Sequence, residues 1–255
     1  MPATERATKT RPADGVVRAA GVLYLVLVLT SIFGLVASQS LIAPHDANAT
    51  AHNVRSAETL FRLALVSSLI ATGTFVFLAR ALYRLLKDVN PTQASLMVVL
   101  VLLSVPISFV SWLNQIAALR LIDGPPVSGL GPTQMNGLAT FFLGLSSDTS
   151  ALNSIFFGLW LLPFGLLVIK SGFIPKFVGY LLIIAGYSYI VGSLNFVLSP
   201  PFGPVVSRIA TVGYLGELAV VAWLVFKAAQ VQFRGTNSSI RNTSSDSNLE
   251  GGHLW

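Results

Sequence analysis

AAGVLYLVLVLTSIFGLVASQS, residues 19–40, decides the fold class, because none of its 22 side chains carries a full charge. As an α-helix rising about 1.5 Å per residue it covers about 33 Å, enough to cross a hydrocarbon core of about 30 Å. Basic residues precede the run, and the small residues Ala37 and Ser38 lie near its end, as in a secretion signal. Its length exceeds the roughly 7–15 apolar residues of such a signal, so it reads as a retained anchor. Comparable apolar runs recur at residues 63–79, 95–119, 151–169, 177–198 and 209–226.

Composition agrees with this reading along the whole chain. Charged residues make up 10% of the 255, against about 25% in a soluble domain, hydrophobic residues reach 53% and the mean hydropathy is +0.73. The expected architecture is an all-α polytopic membrane protein, a bundle of six transmembrane helices. A short arm, residues 1–17, precedes the membrane domain, residues 18–227. The tail, residues 228–255, is rich in Ser, Asn, Thr and Gly and has too few apolar residues to offset the entropy of ordering, so it is expected to be disordered. The chain has no Cys, which removes disulfides, thiolate metal ligands and cysteine nucleophiles.

The distribution of Lys and Arg sets the expected orientation. Arg6, Lys9, Arg11, Arg18, Arg80, Arg84, Lys87, Lys170, Lys176, Lys227, Arg234 and Arg241 fall on one side of the six-span arrangement. Only Arg55, Arg62, Arg120 and Arg208 fall on the other. Basic residues accumulate in cytoplasmic segments, so both termini are expected in the cytoplasm of a cell membrane. The same placement accounts for the net charge of +6 without nucleic acid, which is not an expected partner. The lipid bilayer is the expected partner, while protein partners and a small-molecule ligand are left open.

One carboxylate interrupts the last apolar run, GYLGELAVVAWLVF, residues 213–226. Arg208 and Lys227 bracket 18 residues and Glu217 is the ninth, which puts it about 13 Å from either end of a helix. A charge at that depth costs about 2.5–3.5 kcal/mol on insertion scales, so a neutral, hydrogen-bonding acid facing the bundle interior is the favoured state. Ala210 and Gly213 share its face, which lets a neighbouring helix come close. Gly179, Gly186 and Ser193, seven residues apart, form a small stripe expected to receive this last helix. Other polar residues at middle depth are Thr72, Ser104, Ser108, Tyr187 and Ser188, which with Glu217 make a candidate intramembrane polar site. Pro106 and Pro163 each free a helix carbonyl near the same level.

Other constellations carry less chemistry. His45, His52 and His253 all lie outside the expected spans, and no GxSxG, HExxH or phosphate-binding glycine loop occurs, so no metal site or cofactor is expected and the pattern leans away from an enzyme, which would need a second catalytic group near Glu217. LATFFLGL, residues 138–145, is too short to cross by itself and reads as a segment that dips toward the membrane or caps the bundle. Asp148 reads as the N-terminal cap of the fourth spanning helix. Asn114 and Gln115, toward the far end of the third, can line a cavity or sit at the interface.

Several stretches together resemble a known family. AGVLYLVLVLTSIFG, AETLFRLALVSSLI, ARALYRLLKDVNP, IFFGLWLLPFGLLVIKSGFIPKFVGYLLIIAGYSYI and GELAVVAWLVFK are similar to the bacterial integral membrane proteins called domain of unknown function 4386. The similarity runs over about residues 18–227 and implies a six-helix protein of a bacterial cytoplasmic membrane. It implies no activity, ligand or catalytic residue. From the residues themselves, the expected function is binding or translocation of a small solute, proton or lipid around Glu217. The alternative is a structural or regulatory membrane protein that meets partners through its outer loops or tail.

Overall fold

A computed structural model describes residues 14–198, together with residues 203, 222 and 223. These residues form six α-helices and no strand: α1 (Asp14–Gln39), α2 (Ala47–Ser56), α3 (Glu58–Leu86), α4 (Pro91–Asp123), α5 (Pro132–Ser171) and α6 (Lys176–Leu198). All but the ten-residue α2 are long and apolar enough to cross a membrane. The last expected span, residues 209–226, lies outside the described residues apart from Ala222 and Trp223, and so does Glu217.

Local chemistry fixes the helix ends. Asp46 and Asn90 turn their side-chain oxygens back to the amides of Ala49 and Gln93, at 2.8 and 3.0 Å, and so satisfy donors that α2 and α4 leave open. Pro91 and Pro132 stand in the first turns of α4 and α5, where a missing N–H costs nothing. Gly172, at φ 71°, ends α5 in the left-handed region.

Two sequence expectations change here. α5 runs unbroken for 40 residues, about 60 Å, and begins at Pro132 rather than at 151. LATFFLGL is therefore the second to fourth turns of a spanning helix, and Asp148 is an exposed mid-helix residue rather than a cap. The polar run SSDTS, residues 146–150, resembles a loop in sequence but is helical because α4 offers its serines partners. The second change concerns the glycine stripe, which is filled by α5. A Cβ on Gly158 would fall 2.5 Å from the Gly186 carbonyl oxygen, and one on Gly165 would fall 2.8 Å from that of Gly179. Ser193 closes the same stripe, its hydroxyl 3.5 Å from the Leu152 carbonyl.

The spanning helices pack in chain order, α1 on α3, α3 on α4, α4 on α5 and α5 on α6, while α2 lies against α5, α4 and α3 at one end. α1 and α3 approach closely at Gly34, where a Cβ would lie 3.1 Å from the Ala64 carbonyl, and Ser67 donates to the Thr30 carbonyl at 2.9 Å. Large apolar side chains such as Leu29, Leu35, Phe77, Leu113 and Phe141 are left exposed, as on helices that face lipid.

The interior has two apolar clusters. One fills the end away from α2, with Leu78, Leu82, Met97, Val101, Leu161, Phe164 and Leu182 at its centre and Trp223 packed against it. The other lies under α2 and joins Val54, Phe61, Leu119, Ile122 and Leu143.

Candidate functional site

Between these clusters the α4–α5 interface turns polar. Read along α4, Ala94, Met97 and Val101 belong to the first cluster, and Ala118, Leu119 and Ile122 to the second. Ser104, Ser108, Ser111 and Gln115 lie between them, spaced four, three and four residues apart, and therefore line one helical face. The antiparallel α5 matches them with Ser146, Ser150 and Asn153. Spacing and packing thus bring seven polar side chains into a ladder spanning about 16 Å, from the level of Ser104 to that of Gln115.

The ladder has two connected halves. In the half nearer α2, Gln115 Nε2 donates to Ser146 Oγ at 3.0 Å, and the Ser111 hydroxyl lies 2.8 Å from that of Ser146 and 3.0 Å from that of Ser150. Ser111 also reaches the Ser146 carbonyl at 3.0 Å, and Ser150 donates to the same carbonyl at 3.0 Å. In the other half, Asn153 Nδ2 donates to Ser108 Oγ at 3.0 Å and to the Ser104 carbonyl at 3.2 Å. Ser108 donates to that carbonyl as well, at 3.1 Å, and the buried Ser104 hydroxyl donates to the Val101 carbonyl at 2.7 Å.

Asn153 is 2% exposed, and its Oδ1 has no hydrogen-bond partner among the described residues. Its two N–H donors are both used within the ladder, so this acceptor is what the layer has left to offer. One turn further along α5, an aromatic group closes the layer from the far end. Phe157 and Trp160 meet Phe75 with ring centroids 5.8 and 5.1 Å apart, and Phe157 also meets Tyr189 at 6.4 Å.

Of the residues expected to form an intramembrane site, Ser104 and Ser108 are brought together through Asn153. Thr72 is half-buried on α3, Tyr187 is exposed on α6, and Ser188 donates to the Ile184 carbonyl of its own helix at 2.9 Å. Glu217 lies outside the described residues. Sequence reading had not joined Ser111, Gln115, Ser146, Ser150 and Asn153 to the site. Their signal is a shared helical period on two neighbouring runs, and for Ser146 and Ser150 the expected helix start at residue 151 hides it.

A model of the family described as domain of unknown function 4386 matches residues 19–228. The chain belongs to that family. The match takes in α2 to α6, α1 from residue 19 on and both halves of the polar ladder, so the domain of unknown function 4386 contains the whole candidate site. No curated protein and no solved structure matches the chain.

Proposed function

We propose that this member of the domain of unknown function 4386 family is a non-enzymatic protein of the cell membrane that binds or translocates a small polar solute or a proton through its interior. Six transmembrane helices make up residues 18–227, and both termini are cytoplasmic. The reading of sides is supported by the excess of Lys and Arg on one face of the sequence pattern. The reading of function is carried by one observation: a hydroxyl and amide layer, closed by apolar clusters at both ends, in which the buried Asn153 Oδ1 lacks a donor among the described residues.

An apolar interface needs no such layer, and a buried acceptor without a partner costs free energy that a ligand or proton donor recovers. Glu217 supplies the titratable group of the same function, since a mid-span carboxylic acid exchanges protons only if water or a relay reaches it. Tyr187, Ser188 and Thr72 complete the proposed set on the other helices. The test is pH-titrated infrared difference spectroscopy on the lipid-reconstituted protein and on Glu217→Gln. A carboxyl band absent from the variant that responds to bulk pH, accompanied by a shift of the amide band that Asn153→Leu removes, is the expected result. A Glu217 band that stays fixed across the titration overturns the proposal.

A further inference from the structure

The ends of α3 and α4 beside α2 border an open cleft of about 560 Å³, within the range of about 300–1,000 Å³ common for small-ligand sites. Its walls are Leu65, Val66, Ile116 and Leu119, and its rim carries Arg62, Arg120 and Asp123. Sequence placed these two arginines on the face that is poor in basic residues, where orientation does not call for them.

The charges of the rim are only partly spent within the protein. Arg62 Nε pairs with Glu58 one turn earlier on the same helix, an exposed contact of a kind that holds a side chain weakly, and its two Nη groups meet no acceptor among the described residues. Arg120 and Asp123 make no ion pair among the described residues. Guanidinium groups bind phosphate oxygens through paired N–H donors, and a carboxylate accepts from a primary ammonium. Both arginines lie within about one turn of a helix end, at headgroup depth for a spanning helix, and the apolar wall runs from them toward the span.

We propose that this cleft is a binding site for a phospholipid with an ethanolamine headgroup. Its phosphate lies on Arg62 and Arg120, its primary ammonium on Asp123, and an acyl chain along Leu65, Val66 and Ile116. The Asp123 carboxylate beside the two arginines favours a headgroup that carries a primary ammonium over one without a cation, and over a trimethylated one that has no N–H to donate. The inference rests on membrane embedding and is independent of the polar ladder and of Glu217.

Native mass spectrometry on the full chain, equilibrated with equal amounts of phosphatidylethanolamine, phosphatidylglycerol and phosphatidylcholine, tests it. One phosphatidylethanolamine is expected to be retained per protein in preference to the other two. Arg62→Gln with Arg120→Gln should lower retention of that lipid at least ten-fold, and Asp123→Asn should abolish its advantage over phosphatidylglycerol while leaving phospholipid bound. All three positions are exposed, so the variants keep their fold, which circular dichroism verifies. Equal retention of the three lipids by the native chain, or a preference unmoved by Asp123→Asn, overturns the proposal.

Discussion

Asn153 separates a structural use of the polar ladder from a functional one. Its two donor bonds are each worth about 0.6 kcal/mol by the average for polar contacts between membrane helices, while its unpaired acceptor costs about 1–3 kcal/mol. These terms nearly cancel, so Asn153→Leu should change the unfolding free energy by less than about 1 kcal/mol, measured by reversible unfolding in bilayer-like micelles. A loss above about 2 kcal/mol would make the residue a pin for α4 against α5 and remove the argument for a ligand. Ser111 is different, because its hydroxyl lies between those of Ser146 and Ser150, and Ser111→Ala should cost more, about 1–2 kcal/mol. At this scale part of the site was legible in the sequence. Ser104 and Ser108 were visible because their depth follows from counting along one run. Asn153 was not, because whether an amide faces a partner or water depends on the neighbouring helix, which one run does not specify.

At the scale of the element, α5 and α6 meet at four glycines, where the absence of side chains sets the distance between the helices. Gly165→Ala would place a methyl 2.8 Å from a backbone oxygen that cannot swing aside, and should destabilise the protein by about 1–3 kcal/mol. Gly144→Ala is the control on the same helix, since nothing lies within 4 Å of its added Cβ. Better helix propensity should make it neutral or stabilising by up to about 1 kcal/mol, and equal effects at the two positions would refute the close packing. Spanning helices α1, α3, α4 and α6 were legible to within about five residues at every end but the last of α3, because a membrane span has to be apolar along its whole length. The start of α5 was missed for the same reason. Hydropathy falls across SSDTS, and the sequence alone does not reveal that another helix satisfies those hydroxyls. α2 was missed altogether, since ANATAHNVRS carries no spanning signal and is held by distant residues. Arg55 reaches the Ile122 carbonyl at 2.6 Å, and Asn136 donates to Asn48 at 2.9 Å.

Sidedness belongs to the whole molecule, and the lack of cysteine makes it directly testable. A single cysteine in place of Ser128, in the connection between α4 and α5, should react with an impermeant maleimide on intact cells. One in place of Asp88, between α3 and α4, should react only after the membrane is opened. The opposite pattern would invert the proposed orientation.

Each broad interface among the described spanning helices joins one of them to the spanning helix synthesised just before it. A nascent chain that has emerged only as far as residue 86 already holds the complete α1–α3 contact, including the bond from Ser67 to Thr30. Each later span among the described residues arrives beside a surface already prepared for it. Assembly can therefore keep pace with translation, and a ribosome that stalls midway leaves a shorter row of correctly paired helices rather than a helix waiting for a mate that has not been made.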